Sequence, residues 1–193
     1  MKKFITIAGI CCALPIIVIA FLAWRGNQQG SPNTPQQNEK ANNEIVSATV
    51  GKAFPAFSVI DVDGRAITNE SLRGKPAILW FTTSWCVPCQ IGARKVSELD
   101  TELGNNAFDV LVVFVDLREK DSDLVDWRNK FANKDWFVAF DSQADPLSQK
   151  IGLKYLDSKY LLDKNGVIKN IDFQTADDSY LNLIKEIVAT DNE

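Results

Sequence analysis

The stretch Trp85-Cys86-Val87-Pro88-Cys89 constrains this chain more than any other, because it separates the apolar run Ala77-Ile78-Leu79-Trp80-Phe81 from a segment with helical periodicity. Two cysteines three apart at a strand-to-helix junction are the layout of a thiol–disulfide redox centre. In the first turn of a helix they can close a small disulfide ring and reopen it without unfolding anything else. Cys86 is the candidate nucleophile, since the unpaired N–H groups and the positive end of the helix dipole favour its thiolate. A pKa lowered from about 8.5 to about 7 would raise the thiolate share at neutral pH from roughly 3% to roughly half, worth about 2 kcal/mol. Cys89 is the candidate resolving thiol, which attacks a mixed disulfide at Cys86 and releases the partner reduced.

Other readings of the pair exist. Cys-x-x-Cys is also metal-ligand spacing. The chain has no histidine, however, and Cys11 and Cys12 lie in a different segment, so a closed four-ligand zinc site within one molecule lacks ligands. A structural disulfide, or two inert buried thiols, stays open. The strand-then-helix context, with Trp85 and Pro88 inside and beside the pair, weighs against both.

Lys2 and Lys3 precede an uncharged apolar stretch of 21 residues, Phe4 to Trp24, closed by Arg25. That length spans a bilayer as one helix, and positive charge before it leaves the N-terminus in the cytoplasm and sends the rest across. Residues 1–25 are therefore read as a membrane anchor. The alternative is a signal cleaved after Val18-Ile19-Ala20 and a secreted product, although apolar residues continue past that site. Either way, the remainder is exported, to the periplasmic or outer cell-surface side. Residues 26–43 are polar and rich in Gln, Asn and Pro, cannot bury enough surface to order themselves, and are read as a flexible linker. Residues 44–193 form one domain. Removing Lys2, Lys3 and Arg25 leaves 18 basic against 25 acidic residues, a balance of −7 that argues against nucleic acid as a partner.

Within the domain, Phe57 to Val62 and Arg65 to Thr68 flank Asp63-Gly64, a dipeptide suited to a tight hairpin. Ala77 to Thr82 and Phe108 to Val115 read as buried strands. A helix is expected from about Val87 to Leu103, with Ile91, Val96, Leu99 and Leu103 along one side, ending at Gly104. A second helix, capped by Ser122 or Asp123, precedes a strand at Trp136 to Phe140. Pro146 opens a short helix reaching Ile151. Lys159 to Leu162 and Val167 to Phe173 pair across Asp163-Lys164-Asn165-Gly166, and a last amphipathic helix runs from about Asp177 to Ala189. Alternating strands and helices with one antiparallel hairpin give an α/β sandwich around a mixed sheet.

The run from Phe57 to Cys89, with its Asp61-Val62-Asp63-Gly64-Arg65 turn, its Leu72-Arg73-Gly74-Lys75-Pro76 approach and its Phe81-Thr82-Thr83-Ser84-Trp85-Cys86-Val87-Pro88-Cys89 core, resembles the TlpA/ResA branch of thioredoxin-like proteins. Leu161-Leu162-Asp163-Lys164-Asn165-Gly166 fits that family's penultimate hairpin. The resemblance implies a thioredoxin-like three-layer sandwich with an N-terminal β-hairpin extension. It implies a membrane-tethered thiol–disulfide oxidoreductase with Cys86 and Cys89 as catalytic residues and no cofactor or metal. Its partners would be protein disulfides of exported proteins, apocytochrome c in cytochrome c maturation among them, and a membrane electron donor. Reduction is the expected direction, because Val87-Pro88 offers no cation to over-stabilise the thiolate. Two alternatives are a non-catalytic thioredoxin-fold binding module and a peroxiredoxin-like peroxidase, since Thr83-Ser84-Trp85-Cys86 contains Thr-x-x-Cys. The peroxidase reading lacks the expected proline, with Leu79 in its place, and a copper chaperone would need a histidine ligand.

Departures from that family are equally informative. Gly92 and Arg94 stand where the branch often places a glutamate and a proline, and Trp80 stands where thioredoxin has a buried aspartate. No acid–base partner for Cys89 is evident in the local sequence, so solvent or a residue brought in by the fold would have to serve. The fold normally carries a cis-proline before the penultimate strand, and alignment puts Asp157 there; Pro146 is the last proline in the chain. A trans peptide is expected at Asp157. Its carboxylate is expected to face the Cys86–Cys89 pair and raise the Cys86 pKa.

Overall fold

The computed structural model describes residues 46–191, so the expected anchor (1–25), the linker (26–43), Cys11 and Cys12 lie outside the described residues. Among the described residues no helix is long and apolar enough to cross a membrane. The elements in chain order are β1 (Ser58–Ile60), β2 (Ala66–Thr68), β3 (Ala77–Thr82), α1 (Val87–Glu102), β4 (Asp109–Phe114) and α2 (Asp121–Phe131). They continue with β5 (Phe137–Phe140), α3 (Leu147–Lys150), β6 (Ser158–Leu162), β7 (Ile168–Asp172) and α4 (Asp178–Asp191).

The apolar run Ala77 to Thr82 becomes the central strand of a five-stranded mixed sheet ordered β5-β4-β3-β6-β7. β3 pairs parallel with β4 and antiparallel with β6, while β4 and β5 are parallel and β6 and β7 antiparallel. With neighbours on both edges and side chains covered on both faces, all six β3 residues are buried. Alternation then divides the core. Ile78 and Trp80 point into the layer made by α1, α2 and α4, with Val96, Trp127 and Ile184. Leu79 and Phe81 point the other way, against Phe54, Phe57, Ile67 and Leu147 from the hairpin, the preceding segment and α3. The fold is thus the expected three-layer arrangement with an N-terminal hairpin, the second covering layer being built from that hairpin and one short helix.

The β1–β2 hairpin turns on Asp61. Its Oδ1 accepts the Asp63 and Arg65 N–H groups at 3.0 and 2.8 Å, and Gly64 takes φ +80°, which an L side chain would resist. Asp61 also bridges to Ala139, and the Val62 N–H donates to the Val138 carbonyl at 2.9 Å, so the hairpin covers the β5 edge. At the opposite edge, Gly51 and Lys52 exchange backbone hydrogen bonds with Ile168.

The helices depart from expectation in two places. Ile91 is 48% exposed, and the buried face of α1 is Cys89, Gly92, Ala93, Val96, Leu99 and Asp100. The N-cap of α2 is Lys120, not Ser122 or Asp123; Asp123 instead reaches back from the third helical position, its Oδ2 accepting the Lys120 N–H at 2.9 Å.

Candidate active site

β3 ends at Thr82, and the chain turns through Thr83, Ser84 and Trp85 so that the Cys86 N–H donates to the Thr83 carbonyl at 3.2 Å. Cys86 is itself the N-cap of α1, with extended backbone, and Pro88 sits in the first turn where its missing N–H is not needed. The Cys86 Sγ accepts the Cys89 N–H at 3.4 Å, one of the donors that a helix start leaves unpaired. Cys86 and Cys89 are joined as a disulfide with Cα atoms 5.3 Å apart. Cys86 is 8% exposed and Cys89 is fully buried. Cys86 is thus the more accessible of the two sulfurs.

The loop between β4 and α2 holds this turn. Glu119 Oε1 accepts the Ser84 N–H at 2.5 Å, and Asp116 Oδ2 accepts the Trp85 indole N–H at 3.1 Å. Gln90 closes the other side, donating to the Ser84 carbonyl at 2.7 Å. Arg118 grips Asp116 through two side-chain hydrogen bonds and, together with its own backbone N–H and the Trp85 donor, holds that carboxyl far below the usual carboxylate range. Around the disulfide, the side chains of Trp85, Val87, Ile91, Leu117, Tyr155 and Phe173 are exposed. The sheet registers bring the ends of β3, β4 and β7 and the start of β6 to one end, so these exposed apolar residues lie at the same end of the sheet as Cys86.

Asp157 departs from expectation in part. Its peptide bond is trans, as expected, with φ +66°. Its N–H donates to the Phe81 carbonyl at 3.0 Å, which puts the residue beside the end of β3. The carboxylate, however, is buried, its side chain only 7% exposed: Oδ1 accepts the Trp80 indole N–H at 2.8 Å and lies 3.2 Å from the Lys159 ammonium. Its carboxylate is thus paired with Lys159 rather than left unscreened, and the structure shows no contact between it and Cys86.

Lys159 was not legible as a site residue. It is fully buried, lies 3.0 Å from Asp172 as well, and donates to the carbonyls of Asp157 and Gln174. A lysine flanked by Ser158 and Tyr160 in a short strand reads as a solvent-facing position, and only the fold shows where it points. Gly92 is explained by the same neighbourhood. A Cβ there would lie 3.1 Å from the Ala176 nitrogen and 3.2 Å from the Trp80 ring, so the indole occupies the space that a longer side chain would need.

Residues 49–182 match the family described as Redoxin. The chain belongs to the Redoxin family. Among its relatives, the thiol:disulfide interchange protein DsbE of Pseudomonas aeruginosa is 27% identical over 129 residues, covering 66% of this chain and 68% of that protein. The thiol-disulfide oxidoreductase ResA of Bacillus anthracis is 28% identical over 119 residues, 62% and 66% of the two chains. The thioredoxin domain of a thiol-disulfide oxidoreductase from Bacteroides vulgatus superposes with a TM-score of 0.63 at 17% identity, over 74% of this chain and 99% of that one, which establishes the shared fold. This Redoxin chain is a thiol–disulfide oxidoreductase of the TlpA/ResA kind, with the paired cysteines joined at the start of α1.

Proposed function

We propose that this Redoxin-family enzyme reduces disulfides of exported proteins through a cycle of Cys86 and Cys89, held to the extracytoplasmic side of a membrane by Phe4 to Trp24. The observation that carries the reading is the asymmetry of the pair: Cys86 caps a helix and reaches the surface, whereas Cys89 is enclosed behind it. In the reduced enzyme the Cys86 thiolate attacks one sulfur of the partner disulfide. A Cys86–partner bond forms, the partner's S–S bond breaks, and the leaving sulfur takes the electron pair as a thiolate. Cys89 then gives up its proton to solvent and attacks the Cys86 Sγ. This forms the Cys86–Cys89 bond and expels the partner as a dithiol, two electrons having passed to it. A membrane electron donor returns the enzyme to the dithiol.

The apolar rim of Trp85, Val87, Ile91, Leu117, Tyr155 and Phe173 suits a partner presenting its disulfide in unfolded or loop segments, and apocytochrome c in cytochrome c maturation fits that description. Helix-start stabilisation without a cation at Val87 or Pro88 favours reduction over oxidation.

The test is substitution of each cysteine in turn. Cys86→Ser abolishes disulfide reduction, and Cys89→Ser accumulates mixed disulfides through Cys86 in the native compartment. Turnover in Cys86→Ser equal to wild type would falsify the assignment. Folded protein with no reductase activity at all marks a non-catalytic binding module instead, and peroxide consumption without disulfide reduction marks a peroxidase.

A further inference from the structure

Between β7 and α4 lies a groove of about 530 Å³ that neither cysteine lines. Its charge is all of one sign: Asp172, Asp177 and Glu186 line it, and among the described residues no lysine or arginine does. Asp172 is answered in part by the buried Lys159 ammonium at 3.0 Å, and Asp177 Oδ1 caps α4 by accepting the Tyr180 N–H at 3.0 Å. Glu186 is exposed and has no ion-pair partner among the described residues, the neighbouring Lys185 reaching Glu102 on α1 instead. Two further lining residues hold polar atoms that are buried without a hydrogen-bond partner among the described residues, the Tyr180 hydroxyl and Asn170 Oδ1. Tyr180 is 5% exposed, and burial together with the charges of Asp172 and Asp157 pushes its pKa well above the ordinary value, so it stays a neutral hydroxyl. Buried polar groups left unpaired are costly, and native structures retain few of them. A hydroxyl lone pair, an amide oxygen and carboxylates all accept hydrogen bonds. The group that satisfies them together carries several N–H donors and a positive charge, as ammonium and guanidinium do.

The groove begins at the redox end of the sheet. Asp172 pairs with Lys159 near the start of β6, and Gln174 and Asp177 flank Ala176, whose nitrogen would lie 3.1 Å from a Cβ at Gly92, one turn beyond Cys89. Phe173, exposed between two groove residues, packs edge-to-face against Tyr155 with ring centroids 5.6 Å apart. From Asp177 to Glu186 the chain rises about 14 Å, the span of about four extended residues. We infer that this groove receives arginine or lysine side chains of the protein whose disulfide the enzyme reduces, so that cystines flanked by basic segments are its preferred substrates. The inference deepens the reductase reading above and rests on it. A polar, open groove buries too little of a free amine to hold it well. A segment already engaged at Cys86 and at the Phe173–Tyr155 pair adds its charge contacts intramolecularly. The balance of −7 beyond Arg25 also draws a basic partner in over long range.

Two disulfide peptides of one sequence test this, one with arginines beside the cystine and its twin with citrulline, which keeps the shape and removes the charge. With the full-length enzyme the arginine peptide should show a KM about tenfold below its twin at low salt, and the gap should close as salt is raised. Glu186→Gln should narrow the gap about threefold, and Tyr180→Phe, which removes the hydroxyl and keeps the ring, should narrow it about as much. Glu98→Gln, which deletes an exposed carboxylate on α1 outside the groove, should leave it as in wild type. Equal KM for the two peptides overturns the inference. So does the same narrowing in Glu98→Gln as in Glu186→Gln, because the charge of the whole surface would then suffice. A Tyr180→Phe protein more stable than wild type with an unchanged gap overturns it as well, since the hydroxyl would then serve no ligand. Peptides with serine in place of cysteine bind without redox chemistry, and calorimetry on the oxidised enzyme should show the arginine form bound more tightly than the citrulline form. Displacement of the arginine form by an equal concentration of spermidine would assign the groove to free amines and overturn the protein-segment reading. Preferential binding of the serine–arginine form with no turnover of either disulfide peptide overturns the reductase reading instead, so the two failures are told apart.

Discussion

Gly92 and Asp157 show how single residues are fixed by what lies behind them. A methyl group at Gly92 would stand 3.1 Å from the Ala176 backbone nitrogen and 3.2 Å from the Trp80 ring, so these neighbours would have to give by a few tenths of an ångström. Gly92→Ala is therefore expected to cost about 1–3 kcal/mol by overpacking, and Gly92→Glu more, read as a lowered urea midpoint with unchanged slope. Asp157 holds φ +66° and donates its N–H to Phe81. Proline, locked near −65° and lacking that donor, fits neither requirement, so Asp157→Pro should lose on the order of 3 kcal/mol or more rather than restore a family-like site. Asp157→Gly, which accepts the backbone, should retain more stability than Asp157→Pro despite losing the same carboxylate; equal loss in the two would mean that the backbone conformation is not what matters. Sequence comparison marked both positions as departures but could not relate them. The indole that excludes a side chain at Gly92 is the donor to Asp157, and these contacts join residues separated by up to 77 positions in the chain.

At the scale of elements, legibility followed burial. β3 was readable to its last residue because a strand covered on both faces has no polar position to interrupt the apolar run. The edges of β1, β5 and β7 were placed less well, since short strands beside turns carry mixed residues. Ile91 was assigned to the buried side of α1 on periodicity alone, yet the helix turns that side chain outward. The docking of the hairpin onto α2 had no sequence signal: Arg128 donates to both Asp63 oxygens, at 2.7 and 3.0 Å, across 65 residues. Hydrogen bonding to Arg128 lowers the Asp63 pKa below its ordinary 3.8. A carboxyl whose pKa is depressed by folding contributes stability above its unfolded value and loses it as pH falls through the folded value. The Asp63 side chain is 42% exposed, so solvent screens the pair and the contribution is modest, about 1 kcal/mol at most. Arg128→Met should accordingly lower stability at pH 7 and reduce the loss between pH 5 and pH 2 relative to wild type. Parallel stability–pH curves for the two proteins would show that the pair is not a stabilising link.

For the whole molecule, the described residues from Val46 onward close a core among themselves. The Val46 N–H bonds to the Lys150 carbonyl at 2.9 Å, Gly51 and Lys52 pair with Ile168, and Phe54 packs against Phe57 and Tyr160 in the layer opposite the helices. On the proposed function the apolar length of Phe4 to Trp24 serves location. Deleting residues 1–43 should yield a soluble protein with wild-type stability and the same disulfide-reducing activity. The full-length chain should fractionate with membranes and resist extraction by high salt, which weakens electrostatic attachment but not apolar insertion. On the proposed topology, with Lys2 and Lys3 keeping the N-terminus inside, a protease added outside spheroplasts should digest the domain while cytoplasmic markers survive. A soluble mature chain beginning at Phe21 would instead establish a cleaved signal. The enzyme would then meet its electron donor by free diffusion rather than within the reach of an 18-residue linker, about 20 to 25 Å by random-coil scaling. The two arrangements predict different kinetics in the native compartment. Lengthening the linker lowers the local concentration of a tethered domain near a membrane donor and slows its re-reduction, whereas the same insertion in a released protein leaves the rate unchanged.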